Sequence, residues 1–140
     1  MLETKLISLS GEKNRLSDLL VHDKTNLLLF YNTNCLGCTG RAIPYAYELS
    51  KKHDDLNVVI IHVCFGGRFE TNAEINAVFS SGSAPFPIYR DDSGELYRSF
   101  QCEGTPHWIF CDHLAHVKHS IFGSQQGAKL KIEYALLEMN

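Results

Sequence analysis

The chain has 140 residues, 44% of them hydrophobic and 21% charged, with a formal net charge of −3. That is the make-up of one globular domain spanning residues 1–140. It excludes collagen, coiled coil and long disorder, and gives no electrostatic case for nucleic acid binding. Five cysteines cannot all pair within the chain, so a purely structural disulfide framework is disfavoured and at least one thiol is free, metal-bound or reactive.

In chain order, Lys5 to Leu9 alternates weakly and stops at Ser10-Gly11, which predicts an edge strand. Ser17 to Leu20 reads as a helical turn capped by Ser17. Leu27 to Tyr31 is a continuous apolar run, as in a strand buried on both faces. After the polar Asn32-Thr33-Asn34, the spacing of Ala42, Ile43, Ala46, Tyr47 and Leu49 turns helical from about Cys38 to Lys52, with a kink expected at Pro44. Val58 to Val63 is a second buried strand. Thr71 and Glu74 have the spacing of a capping box, which predicts a helix from Thr71 to about Ser80. A short strand at Ile88-Tyr89, a turn at Asp91 to Gly94 and a short helix at Leu96 to Phe100 follow. Trp108 to Cys111 and Val117 to Phe122 read as a hairpin. Ala128, Ile132, Ala135, Leu136 and Met139 share one face of a closing helix. Early alternation and a late hairpin predict an α/β fold with a mixed sheet covered by helices on both faces.

The longest apolar runs are strand-sized, well short of the ~18 residues of a transmembrane helix. Met1 to Ser10 carries Glu3 and lacks the basic and apolar regions of a signal peptide, so the expected location is cytoplasmic; removal of a leader would make it exported or periplasmic.

Cys35-Leu36-Gly37-Cys38 stands where a buried strand gives way to a helix. There, free backbone N–H groups and the positive end of the helix dipole favour thiolate at Cys35, the nucleophilic form. Cys38, one turn in, is shielded and close enough to attack a mixed disulfide formed at Cys35. The other reading, half of a zinc site, lacks a second ligand pair at a recognisable spacing among Cys64, Cys102 and Cys111. His113, His116 and His119 are spaced by three, which in a hairpin sends side chains to alternating faces; we read them as solvated and expect no metal there. Cys64 and Cys111 end buried strands and read as core, while Cys102 is open to a second redox role. Gly66-Gly67-Arg68 lacks a phosphate-loop pattern and reads as a flexible loop at the active-site rim, flanked by Phe65 and Phe69 as surface contacts or core.

A strand ending in C-x-x-C on a helix, followed some 70 residues later by Gly104-Thr105-Pro106 before a strand, resembles the thioredoxin superfamily. The closer resemblance is to its TlpA/ResA-like thiol–disulfide oxidoreductases. Ser8 to Leu19 resembles the hairpin that opens those domains, and Asp91 to Leu96 the turn before their short helix. The resemblance implies a thioredoxin-like fold, a cis Pro106 packed against the disulfide, and Thr105 offering backbone hydrogen bonds to a substrate strand. It implies reversible dithiol–disulfide exchange with protein substrates, recycled by an upstream redox partner, with no separate cofactor; a monomer is expected. Arg41 and His107 are candidate modulators of the pair. The sequence departs from the pattern at several positions. Asn34 replaces the common Trp, Leu29 the buried acid of thioredoxins, and Thr39-Gly40-Arg41 carries no Glu; the Pro that usually follows stands one residue later, as Pro44. Two alternatives stay open: a peroxiredoxin-like peroxidase, although no Pro precedes Cys35 in Asn32-Thr33-Asn34, and a metal-handling or binding module on the same fold.

Overall fold

Thirteen segments of regular structure are seen in the computed structural model, which describes residues 1–65 and 67–139. They are β1 (Lys5–Ser8), β2 (Lys13–Arg15), α1 (Leu16–Leu19), β3 (Thr25–Tyr31), a π-turn (Cys38–Ala42) running into α2 (Ile43–Lys52), β4 (Leu56–Val63), α3 (Asn72–Ala77), β5 (Ile88–Asp91), α4 (Glu95–Ser99), β6 (His107–Cys111), β7 (Val117–Phe122) and α5 (Gln126–Glu138). The strands form one mixed sheet in the order β2-β1-β5-β4-β3-β6-β7. β3 pairs parallel with β4 and antiparallel with β6.

Because successive strand side chains alternate between faces, the apolar run of β3 feeds two cores. Leu27, Leu29 and Tyr31 point to one face, with Ile60, Trp108 and Phe110, and are covered by Ala46 and Leu49 of α2, Ile75 of α3 and Ile132 of α5. Leu28 and Phe30 point to the other, with Val59, Ile61 and Ile109, under Leu16 of α1 and Leu96 of α4. All five residues from Leu27 to Tyr31 are fully buried. That is why the run is continuous rather than alternating.

The edge strand is β2, not β1. Its sequence, Lys-Asn-Arg, has no apolar residue and hence no periodicity to read, and its charges suit an exposed sheet edge. The expected kink at Pro44 is a π-turn instead. Pro44 has no N–H to give a helical hydrogen bond, and the Ile43 N–H just before it reaches back five residues to the Cys38 carbonyl. Pro44 then sits in the first turn of α2, where a missing N–H costs nothing.

The capping box forms as expected: Thr71 Oγ1 accepts from the Glu74 N–H at 3.1 Å and Glu74 Oε1 from the Thr71 N–H at 3.1 Å. The helix it starts ends at Ala77 rather than near Ser80, where the Asn76 side chain accepts the Ala84 N–H and ties the following loop back. Thr71→Ala should cost about 1 kcal/mol by urea unfolding. An unchanged midpoint would show that the cap adds nothing to stability.

Candidate active site

β3 delivers the chain to one end of the sheet at Tyr31, and the next residues turn sharply into the helix. Asn32 makes that turn: its Nδ2 donates to the Val63 carbonyl at 2.7 Å, its Oδ1 accepts the Asn34 N–H at 2.9 Å, and its carbonyl accepts the Cys35 N–H at 3.2 Å. Cys35 is half-buried and Cys38 fully buried, and both are free thiols. The Cys35 thiol donates to the Thr105 carbonyl at 3.4 Å, and its sulfur accepts the Cys38 backbone N–H at 3.2 Å. The Thr105–Pro106 peptide is cis. The structure therefore brings Cys35, Cys38, Thr105 and Pro106 together from segments 70 residues apart. Burial, and then the hydrogen bond with Cys35, push the Cys38 thiol up to about 12.

Two glycines lie at close approaches. A Cβ on Gly37, inside the cysteine pair, would stand 2.6 Å from Ser124 Oγ. One on Gly104, whose φ is +150°, would stand 2.7 Å from the Phe122 ring. Arg41 is exposed, and its Nε donates to Ser124 Oγ at 3.3 Å, tying the π-turn to the loop before α5.

His107 does not join the thiols. Its Nδ1 accepts the Glu103 N–H at 3.2 Å and its Nε2 meets Ser120 Oγ at 2.7 Å, so both ring nitrogens are engaged. Its register partner Phe30 lies in the core on the opposite side of the sheet from Cys38 and Tyr31. Nearness in sequence to Pro106 misleads here because adjacent strand residues face opposite ways.

Sequence reasoning missed the polar cluster behind the active-site loop. Glu70 is 2% exposed. Its carboxylate accepts from Thr33 Oγ1, from Asn34 Nδ2 at 3.3 Å and from His62 Nε2 at 2.7 Å, and its backbone carbonyl accepts from Arg90 Nη2. Burial pushes the His62 imidazole down against the pull of Glu70. His62 Nδ1 and the hydroxyl of Tyr31, its partner across β3 and β4, are buried without a hydrogen bond among the described residues. The available signal was His62 itself, a lone polar residue in Val-Val-Ile-Ile-His-Val that must find a partner if buried.

The remaining candidates separate. Cys111 is core, as expected, and burial pushes it up to about 12. Cys102 packs against the core on the α4 side and is raised likewise to about 12. Cys64 is a correction: it is half-buried rather than core, with Sγ 3.6 Å from Asp92 Oδ1. His113 packs on His22, His116 pairs with Asp112 at 3.0 Å and His119 with Glu138 at 3.0 Å, so these three histidines do not converge. In the rim loop, Gly66 lies outside the described residues, and Phe65 and Phe69 are exposed, with the Arg90 guanidinium 4.5 Å from the Phe69 ring.

The AhpC/TSA family model matches residues 2–126. No curated protein sequence matches the chain. Among solved structures, a secreted disulfide oxidoreductase of Mycobacterium tuberculosis is similar with TM-score 0.72 and 16% identity, covering 96% of each chain. An exposed lipoprotein thioredoxin of Streptococcus pneumoniae has TM-score 0.71 and 22% identity, over 92% of this chain and 96% of its own. A thiol–disulfide isomerase of Corynebacterium glutamicum has TM-score 0.68 and 20% identity, over 93% and 89%. The fold is thioredoxin-like, α/β, with helices on both faces of the sheet, as the sequence led us to expect.

Proposed function

Because the chain belongs to the AhpC/TSA family, we propose that it is a thiol–disulfide oxidoreductase acting through Cys35 and Cys38. The observation that carries this reading is the asymmetry of the pair: an accessible thiol between the Thr105 carbonyl and the Cys38 N–H, backed by a fully buried thiol one turn behind. In the first step Cys35 thiolate attacks a substrate disulfide; one Cys35–substrate S–S bond forms and one substrate thiolate leaves. In the second, Cys38 gives up its proton and attacks Cys35 Sγ; the Cys35–Cys38 bond forms and the second substrate thiolate leaves. Two electrons pass to the substrate and are held until then by the two sulfurs, so no separate cofactor is needed. The Cys38 N–H stands ready to hold negative charge on Cys35 Sγ, and Thr105 offers its backbone to an extended substrate segment. Arg41 adds a positive group one turn from Cys38.

Protein disulfides are the proposed substrates, with residues 1–140 as one monomeric domain working as a reductase and recycled by an upstream redox partner. No helix among the described residues is long and apolar enough to cross a membrane. A reductase fits a cytoplasmic location; similarity to proteins described as secreted or exposed supports an exported one. The reduced chain should reduce insulin, with formation of a Cys35–Cys38 disulfide in equal amount by mass spectrometry. Consumption of hydrogen peroxide without insulin reduction would replace this reading with the peroxidase one. Against a peroxidase stands the residue set before Cys35, where Asn32 to Asn34 hold the turn and no Pro is present.

A further inference from the structure

We propose that His62, Cys64 and Asp92 form a binding site for a divalent metal ion of the zinc type. A ring nitrogen of His62, Cys64 Sγ and a carboxylate oxygen of Asp92 lie within 4.8 Å of one another, the one such group of three among the described residues. Tetrahedral coordination at about 2.0–2.3 Å sets ligand atoms about 3.3–3.7 Å apart, so side-chain rotations closing the group by about 1 Å complete it.

Independent observations point to a ligand. His62 is fully buried, yet among the described residues its Nδ1 has no hydrogen-bond partner, an expensive state for an imidazole nitrogen. Its other nitrogen, Nε2, is held at 2.7 Å by the Glu70 carboxylate. A carboxylate behind a histidine fixes the tautomer and leaves the far nitrogen bare, which is how metal-ligating histidines are held. The thiolate, imidazole and carboxylate set suits a borderline-soft cation such as zinc rather than magnesium or calcium. With three protein ligands, the fourth position is left to water.

Arg90 is the group that opposes a cation here, since its Nε donates to Asp92 Oδ1 at 2.9 Å. That bond leaves Oδ2 for the metal. The charges also balance: a dication and the guanidinium face the thiolate of Cys64 and the carboxylates of Asp92 and Glu70. On binding, the Cys64 S–H bond gives way to a metal–sulfur bond and one proton is released to solvent. The site lies directly behind the catalytic loop, because Glu70 also holds Thr33 and Asn34. It does not depend on the exchange reading, since neither Cys35 nor Cys38 takes part.

The test is a titration of the Cys35→Ser/Cys38→Ser chain with Co²⁺ under anaerobic conditions. One equivalent should bind with a thiolate-to-cobalt charge-transfer absorption, displaced by Zn²⁺. Adding Cys64→Ser should remove that absorption and weaken binding at least tenfold; this half-exposed, near-isosteric change leaves the fold intact. Asp92→Asn should keep the absorption and weaken binding about tenfold. Absence of a charge-transfer band with Cys64 present, or an unchanged band in the Cys64→Ser chain, overturns the proposal. Cys64→Ser alone should leave disulfide exchange by Cys35 and Cys38 unchanged, so failure of the exchange reading and failure of the metal site are read separately.

Discussion

Cys35→Ser should abolish reduction of protein disulfides, whereas Cys38→Ser should retain the first attack and stall as a stable mixed disulfide with substrate. The two thiols are not equivalent. Cys35 is accessible, and Cys38 is buried with its thiol pushed up to about 12. An oxygen in place of Cys35 Sγ removes the attacking sulfur; one in place of Cys38 removes only the escape route. A pH dependence follows. Below about 12 the thiolate fraction of Cys38 rises about tenfold per pH unit, so the release step should speed up about tenfold for each unit and about a thousandfold between pH 6 and 9. Stopped-flow decay of a preformed Cys35–substrate disulfide measures it. A rate flat with pH would show that a base inside the protein, not bulk hydroxide, takes the Cys38 proton. Full activity in Cys35→Ser would end the exchange reading altogether.

Glu70→Ala should be the most damaging single change away from the thiols. The carboxylate is almost fully buried and partners Thr33, Asn34 and His62 at once. Its removal strands those donors in a water-poor site, a loss of about 3–5 kcal/mol by analogy with broken buried pairs. At roughly 2–4 °C per kcal/mol for a domain near this size, Tm should fall by about 10 °C. Glu70→Gln keeps the shape and accepting oxygen and should cost distinctly less. The change also frees the turn before Cys35, so alkylation of Cys35 by iodoacetamide should change in Glu70→Ala while alkylation of unfolded chains does not. A Tm within a degree of the parent would mean that Glu70 is not the brace of this loop.

The parts of this molecule written locally were legible in its sequence. The runs Leu27–Tyr31 and Val58–Val63 declare doubly covered strands, Thr71 and Glu74 declare a cap, and the spacing of Cys35 and Cys38 between strand and helix declares the close pair of thiols seen there. What was not legible is carried by contacts across long stretches of chain. Glu70 reaches Thr33 and Asn34 over more than thirty residues, and no periodicity marks such a pairing. β2 carries no periodicity, because its three residues are polar, and only the resemblance of Ser8 to Leu19 to an opening hairpin pointed to it. His107 misled because proximity along a strand says nothing about which face a ring takes. Cys64 misled for a related reason: as the residue following β4 it shares the strand's apolar context but lies beyond its burial.

The π-turn sets the register of α2. Between Cys38 and Pro44 this chain carries one residue more than the thioredoxin-like pattern it resembles, and a turn that reaches back five residues instead of four accommodates one added residue. Gly40 sits within that turn with open space where a Cβ would project. The extra residue that the pattern implies is thus taken up inside the turn. Cys38 keeps its place behind Cys35, and Ala46 and Leu49 keep their places against the sheet. A one-residue length change that would swing every later side chain of a regular helix by about 100° is silent here.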